Sequence, residues 1–337
     1  MLLLILSTLL ISSSGANSRP KRQIEVNSKW PNNTMYYTFH PDYPLAKRIL
    51  LRQNMDSISS KSCVSFEEKF KDSSYEIQYG PDCTSNVGYI GENGNMTLAE
   101  GCDGVMTHEL FHSLGVQHMH ARTDRDDYVV YYGIADESSN VTPYEYGSVM
   151  SYFPTSEHYP KDPNFNYTMG NEKITFYDFL MLNTLYNCTC EQILKCENDG
   201  YTNPNNCDEC ICPDGFFGQL CDRYQNYPIQ STTEWQTLKR SVNNETIYEY
   251  IIPMENSTLE IRYDSADLFD QGPGCNHGNV EVKYLPDRRM TNPLYCSYDQ
   301  DFSGIIRKTS NDPTIVAFRS NIEYWLKFEI SYRSVPN

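Results

Sequence analysis

Three histidines with fixed spacing lie within residues 108–118, which read HELFHSLGVQH. His108 and His112 are four residues apart, so on a helix their side chains project from one face and can share a metal ion. Gly115 allows the helix to end and the chain to turn, which brings His118 round as a third nitrogen ligand. Three neutral imidazoles leave the ion its full charge and an open coordination position, as in catalytic rather than structural zinc sites.

Glu109 follows the first of these histidines directly and is placed to act on a metal-bound water rather than to ligate. A carboxylate in that position can take a proton from the water and pass it on to a leaving group. The alternative interpretation is five coincidental residues on a surface helix, which so specific a pattern disfavours. The sequence therefore predicts a catalytic zinc centre.

A second segment, SVMSY at residues 148–152, follows the zinc motif. Metzincin peptidases pair such a helix with a downstream turn that carries a methionine beneath the zinc, and Met150 fits that turn. Together with residues 121–129, ARTDRDDYV, the two motifs resemble the astacin family of zinc metalloendopeptidases over residues 23–188. The resemblance implies one Zn(2+), with His108, His112 and His118 as its ligands and Glu109 as the base.

In that family the tyrosine of the methionine turn, here Tyr152, can coordinate zinc at rest and swings away to donate a hydrogen bond to the developing oxyanion.

The sequence departs from the usual pattern of that family at two places. Met119 replaces the glutamate that usually follows the third histidine and contacts the charged mature amino terminus. The segment between His118 and Met150 is also shorter than usual, which affects the expected rim of the substrate cleft.

The amino terminus has the features of an export signal. An apolar run covers residues 2–11, and the small residues 14–16 offer a cleavage site, so we assign residues 1–16 to a signal peptide. A retained anchor is the alternative, although the run is short for a bilayer span. The basic cluster RPKR at 19–22 predicts a short propeptide, residues 17–22, unless the cluster is simply exposed and unprocessed.

Composition agrees with an extracellular protein. The formal net charge is −17, which argues against nucleic acid and anionic membrane surfaces as partners. Twelve cysteines, an even number, fit an oxidising compartment. Seven N-x-Ser/Thr sequons are candidate glycosylation sites: Asn32, Asn95, Asn140, Asn166, Asn187, Asn244 and Asn256.

Six of the cysteines fall within residues 190–221, a segment too short to build an adequate apolar core without disulfides. Sequence alone allows fifteen pairings here, and a structural zinc cluster is a rival interpretation. The segment GFFG at 215–218, which precedes the last cysteine, resembles an EGF-like domain, which we place at residues 189–222. The family resemblances imply the following disulfides: Cys190–Cys207, Cys196–Cys210, Cys212–Cys221, and in the peptidase domain Cys63–Cys188 and Cys83–Cys102.

The last part of the chain, residues 223–337, shows strand patterns. Apolar residues alternate with others from Ile322 to Tyr332, and segments 259–263 and 280–284 repeat that period of two. Several such strands favour a β-sandwich, and the segment resembles a CUB domain in which Cys275 would pair with Cys296. Residues 176–186, by contrast, predict an amphipathic helix that closes the peptidase domain.

The expected fold is thus an α+β metzincin catalytic domain, with a zinc helix and a mixed sheet, followed by a disulfide-rich EGF-like module and an all-β CUB-like sandwich. The expected function is a secreted, extracellular zinc endopeptidase acting on extracellular or matrix proteins. Two alternatives remain open. One is a catalytically weak or inactive adhesion or matrix-binding protein, and the other is a matrix-assembly partner whose essential part is the CUB-like region.

Overall fold

A computed structural model describes residues 28–70, 75–133, 141–267, 272–297, 300 and 305–337. The expected signal peptide, the expected propeptide and the Asn140 sequon lie outside these residues. No helix among the described residues is both long enough and apolar enough to cross a membrane.

The first part of the chain is built on a mixed five-stranded sheet with the order β2-β1-β3-β5-β4. Its members pair in parallel except for the edge strand β4, which runs antiparallel to β5. Burial alternates along β1, as expected for a sheet that covers a core on one face. The strands are β1 (Thr34–Phe39), β2 (Ser65–Glu68), β3 (Tyr75–Tyr79), β4 (Thr84–Ser85) and β5 (Gly94–Leu98).

Two helices pack against each other in this part of the chain, α1 (Leu45–Ser59) and α2 (Met106–Ser113). The buried residues of α1 are Leu51, Met55 and Ile58, which recur at helical spacing along one face. Every residue of α2 is buried, including its two histidines and its glutamate. A helix with polar groups buried on all sides needs specific partners for them, and these partners define the site described below.

The third helix, α3 (Phe176–Tyr186), has the bounds that the sequence predicts, but the predicted amphipathic pattern is wrong. Nine of its 11 residues are buried. Leu182 and Leu185 face the main core, whereas Phe176 and Tyr177 pack with Ile211 of the cysteine-rich segment. Later parts of the chain cover the face that would otherwise meet solvent, and an all-round apolar helix is the result.

Short strands and disulfides hold the loops and the cysteine-rich segment. β6 (Val129–Tyr131) pairs with β7 (His158–Pro160), and β8 (Tyr201–Thr202) pairs with β9 (Cys210–Ile211), both antiparallel. The disulfides join the pairs that the family resemblances imply: Cys63–Cys188, Cys83–Cys102, Cys190–Cys207, Cys196–Cys210, Cys212–Cys221 and Cys275–Cys296.

The C-terminal part is a two-sheet unit, here called the C-terminal sandwich (residues 229–336). One sheet has the strand order β10-β12-β17-β14-β15 and the other β11-β18-β13-β16. Their facing side chains form a separate apolar cluster. The strands are β10 (Ile229–Gln230), β11 (Gln236–Val242), β12 (Thr246–Ile252), β13 (Ser257–Asp267), β14 (Gly278–Val282), β15 (Leu294–Tyr295), β16 (Ile306–Thr309), β17 (Thr314–Ser320) and β18 (Leu326–Pro336).

Two details of the strand predictions need correction. The alternating run was predicted from Ile322, but β18 begins at Leu326, and Tyr324 is exposed in the preceding loop. All five residues of β14 are buried, so this strand is covered on both faces rather than one. Its central position in the sheet and the packing of earlier parts of the chain against the sandwich explain the difference.

The Cys63–Cys188 disulfide closes a much longer loop than Cys83–Cys102, with sequence separations of 125 and 19. Chain entropy therefore predicts that replacing both cysteines of the first pair by alanine costs about 1–2 kcal/mol more unfolding free energy than the same change in the second. Urea unfolding of both double variants at saturating zinc measures the difference. Equal losses would contradict the entropic explanation.

Candidate metal centre

Three imidazoles converge at the end of α2. Nε2 of His118 lies 3.1 Å from Nε2 of His108 and 2.8 Å from Nε2 of His112. Among the described residues these three side chains form the one group of histidine, cysteine or acidic residues close enough to hold a metal ion. Tetrahedral zinc with nitrogen ligands requires nitrogens roughly 3.3 Å apart, so the arrangement fits Zn(2+).

Hydrogen bonds fix which ring nitrogens face the ion. Nδ1 of His108 lies 2.7 Å from the carbonyl oxygen of Val149, and Nδ1 of His112 lies 2.8 Å from that of Val116. A carbonyl oxygen only accepts, so both Nδ1 atoms carry the proton and donate. The lone pairs of both Nε2 atoms are then free for a metal, as expected for zinc-binding histidines with an outer hydrogen-bond partner.

The electrostatic environment keeps these imidazoles neutral. Burial lowers the pKa of His108, and burial together with the neighbouring His108 lowers that of His112 to about 3. The pKa of His118 is also lowered, mainly by burial and then by the other two imidazoles. A neutral imidazole is the form that binds metal, so no proton has to be displaced near neutral pH.

The turn after α2 delivers the third ligand. The helix ends at Ser113, and Gly115 takes φ +91°, a conformation that strains any residue with a Cβ. The Gly115 N–H donates to the carbonyl oxygen of His112, which satisfies one of the open acceptors at the helix end. This geometry is the one that the sequence predicts for Gly115, and it returns the chain so that His118 meets α2.

Glu109 is 5 % exposed, and its Oε2 has no hydrogen-bond partner among the described residues. Burial raises the pKa of this carboxyl to about 7. A divalent cation beside it acts in the opposite direction by favouring the ionised form. A buried carboxylate with an oxygen left unpaired is suited to bind a proton or a water, since such a group is costly unless something pairs with it.

The segment beneath the histidines, here called the Met150 turn (residues 145–152), is anchored by hydrogen bonds. Met150 is fully buried, and its carbonyl oxygen accepts the Met119 N–H at 3.0 Å. The buried carboxylate of Asp178, at the start of α3, accepts from the Ser148 hydroxyl and, at 3.0 Å, from the Val149 N–H. Val149 in turn holds His108, so α3 supports the metal site through this turn.

Tyr152 stands beside the ligands, with its ring centroid 4.3 Å from that of His118 and 5.8 Å from that of His108. Tyr152 is 46 % exposed, so it borders open solvent as well as the metal centre. Burial and then Glu109 raise its pKa, which keeps the phenol protonated. It is therefore available as a hydrogen-bond donor.

Two further histidines, His120 and His158, lie behind His118 and Tyr152. His158 is isolated in the sequence, but in the structure it is buried with its ring centroid 5.1 Å from that of His120. His120 in turn stacks on His118 at 4.8 Å and contacts Tyr152 at 4.7 Å. The pairing of β6 with β7 brings His158 there, a long-range contact that no local pattern reveals.

Arg122 and Arg125, which lie in the segment 121–129, have structural partners. Arg122 is fully buried and makes a bidentate ion pair with Asp124, at 2.8 and 2.7 Å. Arg125 donates to the carbonyl oxygens of His120 and Gly133. Both side chains fasten the chain that follows His118 and do not face the metal centre's ligand atoms.

Most described sequons are on the surface: Asn32, Asn95, Asn187, Asn244 and Asn256 are exposed, and Asn166 is half-buried. Thr168, which completes the Asn166 sequon, is fully buried and accepts the Leu294 N–H of the C-terminal sandwich at 3.0 Å.

The mixed sheet, the buried helix with its three convergent imidazoles and the neighbouring carboxylate define a zinc-dependent peptidase. The sequence profile of the astacin peptidase family matches residues 22–187. The chain is also 34 % identical over 346 residues to the zinc metalloproteinase nas-20 of Caenorhabditis elegans, covering 95 % of this chain and 91 % of that protein. The chain belongs to the astacin family of zinc metalloendopeptidases.

The chain is also similar to a second zinc metalloproteinase and, in part, to a solved structure. The zinc metalloproteinase nas-17 of Caenorhabditis elegans is 32 % identical over 357 residues, covering 96 % of this chain and 83 % of that protein. Among solved structures, high choriolytic enzyme 1, a hatching enzyme zinc-protease from Oryzias latipes (Medaka fish), aligns with 24 % identity and a TM-score of 0.43. That alignment covers 49 % of this chain and 97 % of the hatching enzyme.

His120 stacks on His118, and we therefore predict that its ring serves to pack against this histidine. Its Nδ1 is buried without a hydrogen-bond partner among the described residues, so His120→Phe keeps a ring against His118 while removing an unpaired polar atom. We expect zinc to stay bound and the unfolding free energy to be unchanged or up to about 1–3 kcal/mol higher. Thermal unfolding and metal analysis measure both, with His120→Ala as the control that removes the ring. Loss of zinc from the phenylalanine variant would contradict this role.

Proposed function

We propose that this peptidase is secreted and cleaves peptide bonds of extracellular or matrix proteins, with Glu109 activating the attacking water. The observation that carries the proposal is the Glu109 carboxylate, which is buried on the helix that carries His108 and His112, acts on the pKa of Tyr152 and has one oxygen unpaired. The remaining domain assignments, an EGF-like module at 189–222 and a CUB-like domain at 223–337, belong to the same proposal.

Zinc held by His108, His112 and His118 would supply a Lewis acid that polarises the scissile carbonyl and lowers the pKa of water. Glu109 accepts the proton of the attacking water and then gives it to the nitrogen of the leaving amine. Burial favours this double task, because it brings the pKa of the carboxyl near neutrality in the absence of the ion.

Tyr152 donates its phenolic hydrogen bond to the oxyanion that forms when water adds to the carbonyl. Its ring is close enough to the ligands to reach that oxygen and exposed enough to move as substrate enters. The raised pKa of the phenol supports the role, because only the protonated form can donate.

Secretion is supported by the disulfides. The described cysteines are all paired and none is free, the pattern of proteins that fold in an oxidising compartment. Five exposed sequons are accessible to glycosylation there. The apolar run at residues 2–11 supplies the expected signal.

Removal of the Glu109 carboxylate should abolish catalysis without affecting metal binding. Glu109→Ala should abolish peptide cleavage while one zinc stays bound per chain, because the carboxylate is not among the converging ligand atoms. An unbiased peptide library, read by mass spectrometry, measures cleavage by both proteins, and metal analysis measures zinc. Glu100→Ala, which removes an exposed glutamate before α2, is the matched control. Cleavage that survives in Glu109→Ala would refute the role, and no cleavage by either zinc-loaded protein would favour the adhesion alternative.

Tyr152→Phe removes the hydroxyl group that is proposed to donate a hydrogen bond to the oxyanion, and so tests that role. We expect kcat to fall by about 100-fold with a smaller change in KM, because the hydrogen bond forms mainly in the transition state. Steady-state kinetics on a cleaved library peptide give both constants. Tyr132→Phe, at a strongly exposed tyrosine, serves as the control and should leave both constants unchanged. Full turnover in Tyr152→Phe would count against this assignment.

A further inference from the structure

One contact joins the C-terminal sandwich to the Met150 turn. Glu145 is 1 % exposed, and each of its carboxylate oxygens accepts a backbone N–H. Oε1 accepts from Gly147 at 3.0 Å, within the turn, and Oε2 accepts from Thr291 at 3.1 Å, in the sandwich. One buried side chain therefore orders the turn and attaches it to a segment 146 residues away.

Gly147 shows how closely the two parts approach. A Cβ built on this glycine would lie 2.7–2.8 Å from the Cβ, Cγ2 and Oγ1 atoms of Thr291. Its φ is not in the left-handed region, so the backbone itself would accept an L-residue. The reason for glycine at this position is therefore the side chain of Thr291 packed against it.

The segment that carries Thr291 is itself held firmly. The next residue, Asn292, donates its N–H to the buried Glu281 carboxylate at 2.8 Å, and its side-chain oxygen accepts two backbone N–H groups. The buried Lys283 ammonium donates to the carbonyl oxygen of Met290 at 3.0 Å. The segment that carries Thr291 is therefore held by hydrogen bonds to β14 and to the residues directly after it, and is not a free loop.

The path from Glu145 to the metal ligands is short. The Ser148 N–H donates to the Glu145 carbonyl oxygen at 3.2 Å. The residue after Ser148 is Val149, and its carbonyl oxygen accepts from Nδ1 of His108. The carbonyl oxygen of Met150 accepts the N–H of Met119, which directly follows the ligand His118. A shift of the turn would therefore move the hydrogen-bond partner of His108 and the residue that directly follows His118.

We propose that the C-terminal sandwich is a positioning element of the zinc centre, which acts by locking the Met150 turn through Glu145 and the contact of Gly147 with Thr291. The sandwich contributes no ligand. It holds the carbonyl that fixes the tautomer and orientation of His108, and so slows the loss of the metal. This inference concerns zinc retention and does not depend on the roles proposed for Glu109 and Tyr152.

Gly147→Ala, made in the full chain, tests the lock. The new methyl group has to displace Thr291, so we expect the rate of zinc release to a chromophoric chelator to rise about 10- to 100-fold, the range known for outer partners of metal ligands. Thr291→Gly removes the atoms that clash. The double variant Gly147→Ala/Thr291→Gly should therefore bring the release rate back to within about threefold of the parent protein. A double variant that releases zinc as fast as Gly147→Ala would overturn the proposal, because the damage would then lie within the turn.

A matched control distinguishes the effect of the contact between Gly147 and Thr291 from a general loosening of the C-terminal sandwich against the preceding part of the chain. Asn276 of the sandwich accepts the Glu172 N–H at 3.0 Å and donates to the carbonyl oxygen of Gly170 at 3.3 Å, with neither bond touching the Met150 turn. Asn276→Ala should lower the thermal midpoint while leaving zinc release within about twofold of the parent. Equally fast release from Asn276→Ala and Gly147→Ala would overturn the specific role of the turn.

Glu145→Gln provides a second route if Gly147→Ala does not yield folded protein. A glutamine offers one acceptor oxygen where the carboxylate offers two, so either Gly147 or Thr291 loses its partner. We expect faster zinc release together with a smaller rise of the thermal midpoint on zinc addition. A release rate equal to that of the parent protein would overturn the proposal.

Discussion

The zinc centre depends on two backbone carbonyl groups, those of Val149 and Val116, which accept hydrogen bonds from Nδ1 of His108 and His112. They decide where the ring protons reside, and hence which nitrogens offer lone pairs to a metal. Val116 follows Gly115, whose left-handed conformation is what allows α2 to end there. Val149 belongs to a turn that has no regular secondary structure of its own and must be held by other parts of the chain.

Two buried carboxylates supply that support from opposite sides. Asp178 accepts the N–H and side-chain hydroxyl of Thr175 at the start of α3 as well as groups of the Met150 turn. Glu145 reaches the C-terminal sandwich through Thr291. Burial raises the pKa of both, because a buried site disfavours the charged form. Such groups are tolerated because backbone N–H groups pair with them, and that pairing fixes the turn in one conformation.

How far the sequence predicts this site depends on whether the contacts are local. The spacing of His108, His112 and His118 and the glycine at 115 are local signals, and they predict the convergence of three imidazoles that the structure shows. The disulfides and the methionine turn required a family resemblance, because the sequence alone leaves the cysteine pairings open and a single methionine in a turn has no local signature.

Other features could not be read from the chain. Thr175 and Asp178 match a capping-box pattern, which marks the start of α3 but not the contact of Asp178 with Ser148. Glu145 reads as an ordinary polar residue, and the need for glycine at 147 exists only because Thr291 packs against it. The burial of α3 on nearly all sides has the same origin, since its second covering layer comes from later parts of the chain.

A second cluster of charges, in which Glu281 is buried and Arg319 nearly so, fixes the position of Thr291 at the turn. The Arg319 guanidinium donates to both Asp214 of the cysteine-rich segment and Glu281 of β14. Burial acts to raise the pKa of Asp214, but Lys173 and Arg319 hold it well below its usual range. Buried ion pairs of this kind add little net stability because desolvation offsets their attraction.

Their effect is geometric, since a misaligned interface would leave the buried Glu281 carboxylate and the Arg319 guanidinium unpaired, at a cost of several kcal/mol. Lys173 lies just before α3, and Glu281 also holds the N–H of Asn292, so the cluster fixes the helix and the Thr291 segment relative to each other. Water could replace the donors lost if the sandwich moved away, but water would not hold the turn at one distance from His108. The metal centre therefore draws its precision from residues far along the chain, although all of its ligands come from eleven consecutive positions.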